Sequence, residues 1–380
     1  MSKTKSSLED ELGQVIADNL NKKFKASSLK TAYFLQGDDD APTIVHEWVS
    51  TGSDILDLAI SNRKHGGIPV GRVVEITGLE QSGKSLIAAH ILANTQKSGG
   101  FAVFIDTENA ASIDFMTSIG VDTSKMLYVP LETIEDIFEA IENIIEKVRV
   151  SDKDRLVTIV VDSIAGATTK TELAADFDKD GYATAKAIII SKAMRKITNM
   201  IGRERICLVF TNQLRTKLNA PAFSDPYTTP GGKAIPFHSS VRLRLTTVGS
   251  LTEETHGKKI EIGKKVKVKV FKNKMGPPNR ECEIDVYYNS GIDTYSDWLR
   301  PMKDYGIATL SGAWYSWVNK QTGELIKFQS KDFVEKIMNN PVNKEALYDE
   351  IADKVIMIYR TLDAPRLDDV SVEEDDVIDE

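Results

Sequence analysis

Cysteine is almost missing: two thiols, Cys207 and Cys282, stand far apart in 380 residues. That scarcity excludes a disulfide scaffold and a cysteine zinc site, and the expected compartment is a reducing cytoplasm. Long apolar runs are missing too. The longest, such as Ala187–Ile190, fall far short of the ~20 residues that cross a bilayer, so no membrane association is expected. The opening MSKTKSSLED has basic residues but no apolar segment of the kind a secretory signal needs. Nor does the body carry excess charge. The chain has 48 basic and 56 acidic residues, and residues 368–380, DDVSVEEDDVIDE, hold eight acids without a base, so the other 367 balance at 48 against 48.

What is present is a globular composition, 41% hydrophobic, long enough for two or three domains. Residues 258–274, KKIEIGKKVKVKVFKNK, set eight lysines against one glutamate. A neutral body with a basic segment and an acidic tail suits a protein that meets polyanions under control.

Along the chain, Leu8, Leu12, Val15, Ile16, Leu20 and Phe24 recur at helical spacing over 6–25, with Ser6 and Glu9 as a capping box. The usual fate of such a helix is packing on its own domain; docking on a neighbouring subunit is the alternative. A polar linker runs on to Pro42. From Arg72 to Phe210 buried-type strands alternate with helices. RVVEIT (72–77), FAVFID (101–106), LVTIVVD (156–162) and ICLVFT (206–211) are separated by helical stretches around 84–97, 132–148 and 185–201. The pattern predicts an α/β fold with a mostly parallel central sheet. After residue 240, SVRLRLTT, KKVKVKVF and ECEIDVYY read as antiparallel strands extending it. Residues 300–362 read as a small α+β unit with GAWYSW and a final helix near 345–361. The expected division is 1–45, helix and linker for oligomerisation; 46–299, core; 300–362, C-terminal domain; 363–380, acidic disordered tail.

Gly78-Leu79-Glu80-Gln81-Ser82-Gly83-Lys84-Ser85 matches GxxxxGK[ST], between a strand and a helix, where a phosphate loop must lie. Its amides and the helix N-terminus would face phosphates, Lys84 would reach the β/γ oxygens, and Ser85 would hold Mg²⁺. Asp162 ends another buried strand and is the natural acid to hold Mg²⁺ through water. Asp106 and Glu108 follow a third, and strand alternation points both the same way, so either can polarise an attacking water. Asn212 and Gln213 end a fourth and can report on a γ-phosphate by hydrogen bonding. No N-K-x-D guanine reader is present, so ATP is favoured.

Together with STGSDILDLAI, FIDTENA, VVDSIA, SKAMRKI, NQLRTK, TTPGGKAIPFHSSVRL, FKNKMGPP and GIDTY, these motifs resemble the RecA family of homologous recombinases from about Ser50 to Arg360. Several divergences and the long polar start also resemble phage-encoded relatives of the UvsX type. The resemblance implies a RecA-like P-loop ATPase that forms filaments on single-stranded DNA, pairs it with double-stranded DNA and exchanges strands. It implies ATP and Mg²⁺ as cofactors, the chain itself as partner, and a single-strand binding protein and a loading mediator as further partners. It makes Glu108 the catalytic acid, Gln213 the residue coupling ATP to DNA, and Lys272 and Lys274 cations reaching a neighbour's ATP. Phe115 and Tyr295 fall where aromatics flank adenine, and Phe237 where an interface aromatic stands.

By the same resemblance, residues 170–184 and 214–236 are the DNA loops. Arg195, Arg215, Lys217 and Lys233 would contact phosphates, Gly231 and Gly232 would allow close backbone approach, and Leu218 would wedge between bases. Three positions depart from the bacterial pattern. Ile188 stands where arginine is usual, Lys233 where asparagine is usual, and Ser112 where an aspartate touches the adenine. Two other readings compete: an ATP-switched mediator without strand exchange, and a hexameric helicase on the same core. The first would be expected to lose the second loop or the lysine pair, the other to carry an arginine finger and lack GG-x-A-x-x-F.

Overall fold

Runs of β-branched residues between Arg72 and Gln213 need burial on both faces, and the computed structural model shows how they obtain it. It describes residues 5–24, 31–35, 41–152, 154–175, 182–202, 204–217, 221, 223–255 and 257–359. The expected acidic tail and Leu218 lie outside these residues.

Strands β1 (Val73–Gly78), β2 (Phe101–Asp106), β3 (Met126–Pro130), β4 (Val157–Asp162), β5 (Ile206–Gln213) and β6 (Val241–Thr255) pair in parallel in the order β3-β2-β4-β5-β1-β6. Strands β7 (Lys258–Asn273), β8 (Glu281–Tyr287) and β9 (Gly291–Ile292) continue the sheet beyond β6 in antiparallel fashion. The mixed nine-stranded sheet is the one expected. Alternation along each strand sends Val74, Ile76 and Phe104 into one apolar layer and Val73, Ile105 and Phe210 into the other.

Helix α1 (Lys5–Lys23) precedes the sheet, and α2 (Asp54–Ser61) is capped by Ser53, whose hydroxyl accepts from Leu56 N at 3.3 Å. The crossovers are α3 (Lys84–Lys97), α4 (Ile113–Ile119), α5 (Ile134–Ser151) and α6 (Tyr182–Ile201). Ile87 and Ile91 of α3 fill the first layer; Ile137 and Ile141 of α5 and Ile190 and Met194 of α6 fill the second. Removing a buried side chain such as Ile87 to Ala would cost about 2–5 kcal/mol. A short helix α7 (Ala234–His238) leads into β6.

Two further helices, α8 (Ser296–Asp304) and α9 (Pro341–Val355), flank a three-stranded sheet, Thr309–Ser311, Trp314–Val318 and Leu325–Gln329. Its core of Trp298, Met302, Trp317, Phe328 and Leu347 also takes in Leu58 of α2. A boundary at residue 300 therefore falls inside α8, whose Trp298 and Met302 belong to the C-terminal core. The final helix starts earlier than periodicity predicts: Asn340 accepts from Val342 N and Asn343 N, and Pro341 occupies the first turn. The N-terminal helix forms as predicted, but not its expected packing. Leu12, Val15, Ile16, Leu20 and Phe24 are 36–64% exposed.

Candidate nucleotide and nucleic-acid site

Parallel strands deliver their C-terminal ends to one edge, where ligands of such sheets bind. Gly78 ends β1 there, opposite Gln213 of β5 and Leu245 of β6. A Cβ on Gly78 would lie 2.2 Å from Ser82 Oγ, so the turn admits only glycine at that point. Ser82 Oγ donates to Leu79 O at 2.8 Å, and Gln81 and Gly83 take positive φ, which curls the loop over the first turn of α3. Lys84 begins that helix with a buried side chain whose Nζ donates to Leu79 O at 2.8 Å. Burial pulls its pKa down, opposed by the charges of Asp162, Glu108 and Glu80. A desolvated cation with only a carbonyl partner among the described residues, at a helix N-terminus, is built to receive an anion such as a phosphate.

Asp162 ends β4 opposite Asp106. Burial raises its pKa, opposed by hydrogen bonds from the Ser85 and Thr211 hydroxyls. Ser85 thus lies near enough to Asp162 to favour its charged form, and the two are an oxygen-only pair suited to a hard cation that takes its other ligands from phosphate and water. Among the described residues, no group of three His, Cys, Asp or Glu side chains could hold a metal without such help.

Asp106 and Glu108 separate sharply. β2 ends at Asp106, so strand alternation does not extend to Glu108, and the expectation that both point alike is corrected. Asp106 is buried and saturated: its carboxylate accepts from Glu108 N at 3.0 Å, Ala111 N at 3.0 Å and Tyr128 Oη at 3.1 Å. Glu108 Oε1 instead accepts from Ser163 Oγ at 2.8 Å, one residue past Asp162, and its charge is felt by Lys84. Asn212 is also not free to report on a phosphate. It is fully buried, and its amide donates to Glu75 Oε1 at 3.1 Å and Pro230 O at 3.2 Å. Gln213 remains half-buried opposite Gly78.

A cavity of about 330 Å³ adjoins the loop, and its walls include Gln81, Lys84, Phe115, Lys264, Val266 and Tyr288. Phe115 takes its place because Ser112 caps α4 and accepts from Phe115 N at 3.3 Å, which gives Ser112 a structural role of its own. The second aromatic wall is Tyr288, not Tyr295. Tyr295 lies just before α8, outside the lining, whereas β8 carries the chain to Tyr288 beside the loop. The signal in the sequence was the alternating strand run ECEIDVYY, which ends at Tyr288 just ahead of GIDTY.

Residues 14–293 match the RecA N-terminal domain family. The chain belongs to the RecA family. It is similar to Protein RecA of Geobacter metallireducens, 36% identical over 87% of this chain and 90% of that protein. Protein RecA of Geobacter sulfurreducens is 38% identical over 73% and 77%, and that of Aquifex aeolicus 37% over 81% and 83%. Membership makes the protein an ATP-dependent DNA recombinase with a DNA-dependent ATPase.

Other expected site residues of this RecA-family chain lie away from the phosphate loop. Lys272 pairs with Arg242, which pairs with Glu75, three residues before Gly78. At ~3.3 Å per residue that is about 10 Å back along the strand. Lys272 Nζ donates to Pro236 O at 2.7 Å and Phe237 O at 2.9 Å, and burial, then Lys274 and Arg242, push its pKa down to about 8. Lys274 and Phe237 line a second cavity, about 400 Å³, with Arg72 and His238 at the start of β1. Phe237 is 73% exposed.

Of the expected DNA loops, residues 176–181, 218–220 and 222 lie outside the described residues, and the described parts adjoin α6. Arg195 is exposed on α6, its Nη1 donating to Ser191 Oγ at 3.3 Å. Arg215 and Thr216 pair with Thr228 and Tyr227 as a short ribbon, and Lys217 Nζ donates to Asp225 O at 2.9 Å. Ile188 is exposed on α6, and Lys233 precedes α7. Gly231 and Gly232 do permit close approach, but within the protomer it is to α6: added Cβ atoms would lie 3.0 Å from Ile190 and 2.9 Å from Ala187. Sequence reasoning missed Arg244, which anchors the loop through Asp225 at 2.5 Å.

Proposed function

We propose that this recombinase binds ATP with Mg²⁺ at the Gly78–Ser85 loop, with Phe115 and Tyr288 flanking the adenine, and assembles with the nucleotide between protomers. Ser85 and Asp162 would hold the metal, which when bound neutralises charge on the phosphate oxygens. Glu108 would orient the attacking water; Lys84 and Gln213 would contact phosphates. Lys272 and Lys274 would serve the neighbour's nucleotide, and Phe237 and the apolar face of α1 would dock on adjacent copies. The assembly would be helical, on single-stranded DNA held by Arg195, Arg215, Lys217, Leu218, Gly231, Gly232 and Lys233, with double-stranded DNA as the later guest. A cytoplasmic location, a single-strand binding protein and a loading mediator belong to the same reading.

The observation that supports it is the partition of charged side chains along the strand direction of the sheet. Lys84, Asp162, Glu108 and Gln213 converge on one end of the sheet, while Lys272 lies about 10 Å back along the strands and Lys274 and exposed Phe237 lie near the start of β1. A single protomer cannot bring both sets to one nucleotide. Negative-stain images with single-stranded DNA, with and without a nonhydrolysable ATP analogue, test this directly, followed by joint-molecule formation with homologous duplex. Helical filaments and joint molecules are expected; closed rings without joint molecules would sink the reading.

A further inference from the structure

Glu75 lies in the middle of β1 and is fully buried. A carboxylate survives there only with partners, and it has two of different kinds. Oε2 accepts from Arg242 Nε at 2.6 Å, and Oε1 accepts from the Asn212 amide at 3.1 Å. The same amide donates to Pro230 O, the carbonyl just before Gly231, and Asn212 adjoins Gln213. One side of Glu75 therefore holds the end of the second DNA loop and the strand terminus beside the phosphate loop.

The other side leads to Lys272. Arg242 stands opposite Lys272 on β6 and β7, where the register shifts between Arg242 and Leu243. Such a bulge re-aims a side chain. The ring of Phe271, next to Lys272, contacts two guanidiniums, at 5.2 Å from that of Arg242 and 4.4 Å from that of Arg244. Arg244 then returns to the loop through Asp225. The loop is thus tied at Asp225 and at Pro230 to one assembly that also carries Lys272.

We infer that Glu75 is a positioning residue for DNA-coupled ATP hydrolysis: its carboxylate joins the base of the second DNA loop to the strand offering Lys272 to the neighbour, so that DNA on the loop re-aims that cation. The inference rests on the proposed roles of the loop and of Lys272. Asn212 Oδ1 is buried with no hydrogen-bond partner among the described residues. It can accept from a backbone N–H of a displaced loop, in exchange for the bond that Nδ2 donates to Pro230 O and without loss of the Glu75–Asn212 bond, which is the kind of alternative arrangement a coupled element requires.

The test compares wild type with Glu75→Gln and with Glu75→Met/Arg242→Met. Glutamine keeps an acceptor for Asn212 but leaves Arg242 without its charge partner. The double variant replaces the buried pair with apolar volume, which generally preserves stability. Three quantities are read: thermal unfolding, binding of a fluorescent ATP analogue, and the ratio of ATPase rates with and without single-stranded DNA. Both variants should bind the analogue within about twofold of wild type while the ratio falls about tenfold or more. Retained stimulation in a folded variant would overturn the inference alone. So would two variants too unstable to assay, since the pair would then be scaffold only. Absence of stimulation in wild type would remove the functional reading and this inference with it.

Discussion

Two carboxylates two residues apart meet opposite fates because their oxygens meet different donors. Asp106 spends both oxygens on two amides and a tyrosine, whereas Glu108 is held by one serine and shares its field with Lys84. Glu108→Gln should therefore leave ATP binding intact and lower DNA-stimulated phosphate release by about 10²-fold or more. Asp106→Asn should instead cost about 1–3 kcal/mol of stability by stranding a buried amide, with hydrolysis per folded protomer largely kept. A dead Asp106→Asn beside an active Glu108→Gln would reverse the assignment. The aromatic walls separate in the same way. Tyr288→Ala should weaken binding of a fluorescent ATP analogue about tenfold, from lost stacking and apolar contact, and Tyr295→Ala should change it little. Equal effects would remove Tyr288 from the nucleotide cavity.

The basic run 258–274 becomes one strand, and as an element it is less basic than its sequence. Lys265, Lys267 and Lys269 alternate onto one face and pair with Asp285 and Glu281 of β8; of the other five lysines, Lys264 lines the nucleotide cavity and Lys272 and Lys274 stand at the end of the strand beside Phe237. If those two act in a neighbour's site, mixing Lys84→Ala with Lys272→Ala/Lys274→Ala should partly restore ATPase that each lacks alone. No recovery at any ratio, with co-assembly verified, would count against shared sites. The depressed pKa adds a pH dependence with a definite sign. Lys272, with a pKa of about 8, is charged below that pH and neutral above it, and an approaching phosphate favours the charged form. Assembly on ATP must then take up a proton above about pH 8 and weaken by up to tenfold per pH unit. Lys272→Arg should flatten this slope in light-scattering titrations, because guanidinium stays protonated. A wild-type profile already flat from pH 7 to 9.5 would contradict it.

At the scale of the molecule, charge is segregated rather than balanced everywhere. Residues 1–367 are net neutral by count, and 368–380 carry eight acids. Tethered carboxylates at roughly millimolar effective concentration would compete weakly with DNA phosphates for cationic side chains, more effectively against a late, weakly held duplex than against the primary strand. Truncation after Leu367 should tighten duplex binding at low salt and lower the Mg²⁺ needed for strand exchange, with basal ATPase unchanged. The gain should fade as salt screens it. Superimposable binding curves for the two chains at low salt would make the tail a passive appendage.

Local chemistry determined much of this protein in advance. Strand and helix runs, the Gly78–Ser85 loop and Asp162 at a strand end were legible because burial period, turn chemistry and phosphate binding each act over a few neighbouring residues. Long-range pairing decided the rest. Whether Asp106 or Glu108 faces Lys84 depended on Tyr128 of β3 and on Ser163, just past the end of β4. Tyr288 displaced Tyr295 only once β8 was seated against β7. Glu75, an acid inside an apolar strand, acquired meaning from Arg242 and Asn212, each more than a hundred residues away. The exposed face of α1 shows the same division: its period is written in the chain, but what it packs against is set by tertiary or quaternary contacts that no local pattern encodes.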